Sequence, residues 1–164
     1  QNNLYIEWLQ MMIESTKLDG EGTIPVFAVI EGVGLRPKQS VVIGAGMSTA
    51  MLRAGAVAFI TNASIRDIQG IREVPMPCWA AGISPMHGQM RWLDVGSTVI
   101  IDGMTIRNGD VIHADENGAV VIPSAVADQV YDKAIEVRES ETRIFHQIST
   151  DFQTWISDQH AQAP

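Results

Sequence analysis

The spacing of apolar and polar residues changes several times along this chain, and each change marks an element. Leu4, Trp8, Met11 and Met12 share one face of a 3.6-residue period, which predicts an amphipathic helix from residue 3 to about 15. Turn chemistry follows over residues 18–23, with Gly20 and Gly22. Residues 25–30 form a short apolar run, hence a buried strand, and Gly32, Gly34 and Pro37 then mark a loop. Residues 41–43 predict a second strand that runs into Gly44-Ala45-Gly46. From Met47 the helical period returns through Ala50, Met51 and Ala54, and Gly55 stops it. Residues 56–61 are continuously apolar, as in a strand covered on both faces. The unit 41–61 therefore reads as strand, glycine turn, helix, strand: a parallel crossover.

The second half has a different rhythm. Short β-type runs recur at residues 78–81, 98–101, 104–106, 111–113 and 119–122, separated by Gly96, Asp102-Gly103, Asn108-Gly109 and Asn117-Gly118. Asp-Gly and Asn-Gly pairs reach the positive φ angles that tight hairpins need. The pattern predicts an antiparallel meander beside a parallel core. A long helix closes the chain over residues 124–152, with Ser124 at its N-cap and Val126, Val130, Ala134, Val137, Ile144, Ile148 and Phe152 along one seam. The fold class is α/β with a mixed sheet, in a single domain spanning 1–164.

Length and charge restrict the function classes. A chain of 164 residues suits one domain. The uncharged stretch between Arg53 and Arg66 is 12 residues, short of the roughly 20 that a membrane span needs. The formal net charge is −8, and residues 110–164 carry most of it, with 3 basic and 10 acidic side chains. An acidic chain with no basic stripe is a poor partner for nucleic acid or an anionic lipid surface. The lone Cys78 cannot form an internal disulfide and reads as core, and no signal segment opens the chain, so a cytoplasmic protein is expected.

Two segments could carry chemistry. At Gly44-Ala45-Gly46-Met47 a glycine turn leads from strand to helix, where free backbone N–H groups favour an anion. The same residues also suit a plain tight turn, and they match neither a dinucleotide nor a P-loop pattern. Arg66-Asp67 follows the buried strand, at the end of the sheet where α/β proteins collect ligands. The pair could bind an anionic substrate and a hard divalent ion, or Asp67 could cap a helix while Arg66 makes a surface ion pair. His87, His113, His146 and His160 lack zinc-site spacing, Asn117-Gly118 reads as a turn, and the four tryptophans are too dispersed for a stacking platform.

Three stretches together resemble the RraA-like family, which includes regulator of ribonuclease activity A and the 4-hydroxy-4-methyl-2-oxoglutarate aldolases. Residues 44–65 followed by Arg66-Asp67 are similar to the family's G-x-x-[LM]…D-G-x-[VI]-R-D segment. Pro77-Cys78-Trp79-Ala80-Ala81-Gly82-Ile83-Ser84-Pro85 is similar to its P-V-F-A-x-G-x-[ST]-P, and residues 103–123 to its P-G-D…D-G-V-V-V-[VI]-P stretch. The resemblance covers roughly residues 2–148. Because Gln1 is not a start methionine, the family's first strands are expected to precede it.

That resemblance implies a swivelling β/β/α domain, assembled as a homotrimer or homohexamer with sites at subunit interfaces. It implies a lyase that cleaves or decarboxylates a pyruvate-derived 2-oxo acid with Mg²⁺ or Mn²⁺. The backbone amides of Gly44, Ala45, Gly46 and Met47 would hold the substrate carboxylate, Arg66 would polarise its keto oxygen, and Asp67 would ligate the metal. Asn62 stands where the family carries an aspartate that handles the catalytic water; an amide can bond a water but cannot take its proton. Ala45 likewise replaces a commonly acidic residue. Glu139 or Glu141 of a neighbouring subunit could complete the site. The alternative is a non-catalytic trimeric binding or regulatory protein.

Overall fold

The computed structural model describes residues 3–17, 22–88 and 90–161. The predicted turn at 18–23 lies largely outside the described residues, and so does the side chain of His160. The chain divides into two compact units, residues 1–121 and 122–164.

The first unit is built on one long strand. Helix α1 (Asn3–Ser15) leads into β1 (Val26–Ile30), β2 (Val41–Ile43), α2 (Ala45–Arg53), β3 (Ala56–Ile65), α3 (Ile68–Arg72) and β4 (Cys78–Ile83). Strand β3 pairs in parallel with β1, β2 and β4. Since β4 overlaps the residues that pair with β1 and those that pair with β2, β1 and β2 must share the opposite edge of β3. They meet it in sequence: β1 pairs as far as Thr61, and β2 takes over at Ser64.

The sequence ends this strand at Thr61, but it continues to Ile65. The polar residues at 62 and 64 look like a loop. They stay in the strand because their side chains reach residues 31–40: Asn62 bonds Gly32, and Ser64 Oγ donates to the Lys38 carbonyl at 2.6 Å. Apart from Val57, which is exposed near its start, both faces of β3 are buried, which explains its apolar run. Phe59, Ala63 and Ile65 join a core with Trp8 and Met12 of α1 and Met51 of α2. Ile60 faces the other way, against Ile101, Ile106, Phe27 and Trp79. Phe59 and Met51 are fully buried, each worth about 2 kcal/mol in apolar transfer. Two of the scattered tryptophans converge: the Trp8 and Trp92 rings lie 5.0 Å apart, with Tyr5 beside them. Trp8 is only 5% exposed, so the cluster is packing and not a platform for bases.

The antiparallel part consists of two hairpins, each its own two-stranded sheet. Strand β5 (Val99–Ile101) pairs with β6 (Met104–Ile106) around Asp102-Gly103, and β7 (Val111–Asp115) with β8 (Gly118–Ile122) around Glu116-Asn117. Asp102 takes the left-handed conformation, φ 45°, that this turn requires.

The second unit holds the closing helix. Ser124 is not its N-cap; residues Ser124–Val126 form a 3-10 turn, and α4 runs over Ala127–Ala161. None of the described helices is long and apolar enough to cross a membrane.

Candidate functional site

The sequence-predicted residues meet at the carboxyl ends of β2 and β3, where a parallel sheet leaves backbone groups open to a ligand. Strand β2 ends at Ile43, whose carbonyl accepts the Arg66 N–H at 2.9 Å, so the chain leaving β3 is tied to the chain entering α2.

Helix α2 starts two residues earlier than its periodicity suggests, at Ala45, with Gly44 as an N-cap in extended conformation. Gly44 has no side chain to cap the helix, and the first intrahelical bond is from Ser48 N–H to the Gly44 carbonyl at 3.1 Å. The amides of Ala45, Gly46 and Met47 are therefore the free donors of a helix start, and they carry its positive dipole end. Gly46 is exposed, with open space where a Cβ would stand. Ser48, completely buried, also donates its hydroxyl to the Gly44 carbonyl and fixes the turn from beneath.

Arg66 and Asp67 face this helix start. Arg66 Nε lies 3.3 Å from Asp67 Oδ2, with the arginine side chain 26% exposed and the aspartate 50%. A half-solvated ion pair of this kind contributes about 0–1 kcal/mol to stability, too little to account for its arrangement. Asp67 sits at the N-cap position of α3 but makes no capping bond. Its backbone is left-handed, with φ 56° and ψ 43°, an uncommon state for a residue with a side chain and one that clusters at functional sites. The turn directs the carboxylate back toward Arg66 and Gly44 instead of along α3. A Cβ on Gly44 would stand 2.5 Å from Asp67 Oδ2 and 3.0 Å from Arg66 Nε, so a side chain there must push the pair aside.

Asn62 is 9% exposed, four residues upstream on β3, and the Gly32 backbone engages both ends of its amide. Sequence reasoning missed Gly32 as its partner, since nothing local links residues 30 positions apart. It also missed the proximity of Ser84: the N–H of this residue donates to the Ile65 carbonyl at 3.0 Å, which brings the end of β4 alongside Arg66.

The donor set can be weighed against a divalent cation. Among the described residues no three His, Cys, Asp or Glu side chains converge, which excludes a closed zinc-type cage there. A single half-exposed carboxylate fits Mg²⁺ or Mn²⁺, which keep most of their waters and accept one or two protein carboxylates. Asp67 is the residue that would hold it. Glu139 and Glu141 belong to α4, in the second unit.

Comparison with known proteins gives the chain a family and a fold. The RraA-like (Aldolase/RraA) family profile matches residues 9–121. Protein DlpA of Legionella pneumophila is 34% identical over 95 residues, 57% of this chain and 15% of that protein. A Marinomonas protein named "Putative 4-hydroxy-4-methyl-2-oxoglutarate aldolase" is 33% identical over 110 residues, 66% of this chain and 65% of its own length. The chain thus matches less than two thirds of either relative. Among solved structures, a protein from Pseudomonas syringae pv. tomato superposes with a TM-score of 0.63 at 26% identity, covering 77% of this chain and 64% of that one. Streptomyces coelicolor RraAS2, described as an unusual member of the RNase ES inhibitor RraA family, gives a TM-score of 0.68 at 23% identity over 86% of this chain and 69% of its own, a likeness of fold. On the profile match, which spans more than half of its length, this chain belongs to the RraA-like family.

Proposed function

We propose that this protein is a divalent-metal-dependent lyase acting on a pyruvate-derived 2-oxo acid, of the aldolase or oxaloacetate decarboxylase type. The observation that carries the reading is Asp67, held left-handed against Arg66 at the carboxyl end of β3, beside the open amides of α2. A pyruvate unit has two features to recognise, a carboxylate and an adjacent keto oxygen. The N–H groups of Ala45, Gly46 and Met47 suit the carboxylate, and the Arg66 guanidinium suits the keto oxygen. When the C3–C4 bond, one removed from the ketone carbon, breaks, its electron pair collects as negative charge on that oxygen, and the Arg66 guanidinium would stabilise it; one such donor is worth about 3–4 kcal/mol of barrier. Asp67 would hold the Mg²⁺ or Mn²⁺, which would supply Lewis-acid stabilisation of the same charge.

A lone carboxylate holds a divalent ion weakly, which supports a site completed by a neighbouring subunit in a homotrimer or homohexamer, with Glu139 or Glu141 as the donor. The name carried by the Marinomonas relative supports the small 2-oxo acid as ligand. The acidic chain supports neither nucleic acid nor membrane as partner, and a cytoplasmic location accompanies this reading. The second reading, a non-catalytic binding or regulatory protein, is favoured by one observation: the amide of Asn62, proposed to handle water, is taken up by Gly32.

Oxalate, a planar mimic of the pyruvate enolate, tests the site directly. Calorimetry should show oxalate binding that requires Mg²⁺ and is lost in Arg66→Ala and Asp67→Asn. Binding that ignores the metal and both substitutions would contradict the assignment.

A further inference from the structure

Helix α4 carries an apolar face that nothing among the described residues covers. It lies outside residues 9–121, the part matched by the family profile. Every residue from 141 to 155 is exposed, so this half of the helix has no packing partner among the described residues. Helices draw most of their stability from packing an amphipathic face. Ile144, Ile148, Phe152 and Trp155 follow one another at the three- and four-residue spacing of a single face, with Phe145 on its border. Each of the five is 53–64% exposed. The Phe152 and Trp155 rings stack with centroids 5.7 Å apart and present one joint surface.

The chemistry of this face selects its partner. Asp151 is the only Asp, Glu, Lys or Arg between residues 144 and 157, so the face lacks the basic flanks that would lay it on a lipid surface. The same scarcity of charge lets a second copy approach with little repulsion. A large side chain offers 150–250 Å², so the exposed part of these five is about 100 Å² each. Two copies face to face would then cover about 1,000 Å², the size at which a specific interface becomes stable. The remaining charges set the direction. Parallel pairing would hold Glu141 and Asp151 against their own counterparts. Antiparallel pairing centred on Ile148 sets Ile144 opposite Phe152 and brings Arg143 of one copy beside Asp151 of the other, twice over by two-fold symmetry. Glu139 and Glu141 stay outside the apolar centre of this contact.

We propose that α4 is a self-association element: two copies of this chain pair their α4 helices antiparallel through Ile144, Ile148 and Phe152. The contact is two-fold, so it doubles whatever assembly the first unit forms. It is independent of the lyase reading and of the Arg66–Asp67 site.

Sedimentation and cysteine cross-linking of the full chain test it. Wild type should sediment at twice the mass of Ile148→Glu, and the variant should associate about 10-fold more weakly or worse. Glutamate is a good helix former, so a lost assembly reports the face and not the helix, which circular dichroism checks. Under oxidation Ile148→Cys should form a disulfide-linked dimer, whereas Thr150→Cys, on the opposite side of the helix, should not. Wild type, with Cys78 alone, gives the background. Ile144→Cys and Phe152→Cys should cross-link when mixed and more than either does with itself. If Ile148→Glu also loses helix, the cysteine variants decide alone. A helical Ile148→Glu that sediments like wild type would overturn the proposal, as would Thr150→Cys cross-linking as readily as Ile148→Cys. Ile144→Cys cross-linking with itself in preference to Phe152→Cys would overturn it in favour of parallel pairing.

Discussion

Gly44 and Asp67 leave no room for a side chain between them: a Cβ built on Gly44 falls 2.5 Å from Asp67 Oδ2. This close approach brings the end of β3 against the start of α2, so the carboxylate lies beside the free amides. Gly44→Ala is therefore expected to displace the Arg66–Asp67 pair and reduce kcat/KM by about 10-fold or more, as misplacements on the scale of an ångström do. The extended φ of −136° suits alanine, so helix α2 itself should persist. Kinetics together with circular dichroism check this. Unchanged kinetics would mean that the close approach has no functional consequence.

The left-handed backbone of Asp67 makes a second prediction. Glycine adopts φ 56° without steric penalty, which offsets the extra chain entropy that glycine loses on folding. Asp67→Gly should leave stability within about 1 kcal/mol of wild type while removing metal-dependent activity. Thermal denaturation and turnover measured side by side test it. A large loss of stability would show that the carboxylate holds the fold together and is not reserved for a ligand.

Asn62→Asp separates a strut from a water-handling group. A carboxylate can still accept the Gly32 N–H, but its second oxygen then opposes the Gly32 carbonyl where Nδ2 now donates at 3.2 Å. The expected cost near neutral pH is about 1–3 kcal/mol. Burial and the facing carbonyl both favour the protonated acid, so the folded-state pKa is raised above the unfolded one. The variant should therefore be closest to wild type at low pH and lose stability as pH rises through the folded-state pKa. Urea denaturation over a pH series measures this. A variant as stable as wild type at neutral pH would contradict the strut.

Much of the fold can be read from local pattern. Leu4, Trp8, Met11 and Met12 mark α1, and the apolar run at 56–61 marks β3, because periodicity and burial on two faces are local properties. The errors share a physical cause. Residues 62–65 look like a loop until their bonds to Gly32 and Lys38 are seen, 30 and 26 positions away. Ala45 and Gly46 look like turn residues, yet they form the first turn of α2 because Ser48 and the Gly44 carbonyl close it. The candidate residues Gly44, Arg66 and Asp67 were visible as a motif. The left-handed turn that directs Asp67 back toward Gly44 is not, since the approach of Gly44 that accompanies it comes from 23 positions away in the chain.

Cys78 gives a chemical check on β4. Burial at the start of that strand pushes its thiol above the ordinary range. The thiol therefore keeps its proton to higher pH in the folded chain than in the unfolded one, and this stabilising difference is lost as pH rises through the folded-state value. Because the chain holds a single cysteine, mass spectrometry of iodoacetamide-treated protein reads this one site. Alkylation of the folded protein should be slower than that of the urea-unfolded chain at every neutral pH. Faster alkylation when folded would place the thiol in an activated setting.

The most direct measurement is the rate of pyruvate release from oxaloacetate in the presence of Mg²⁺, for wild type and for Arg66→Ala of equal melting temperature. The lyase account predicts turnover well above the free-metal rate, and a loss of about 10²-fold or more when the guanidinium is removed. Wild-type and Arg66→Ala protein with the same rate, or neither above free metal, would contradict it.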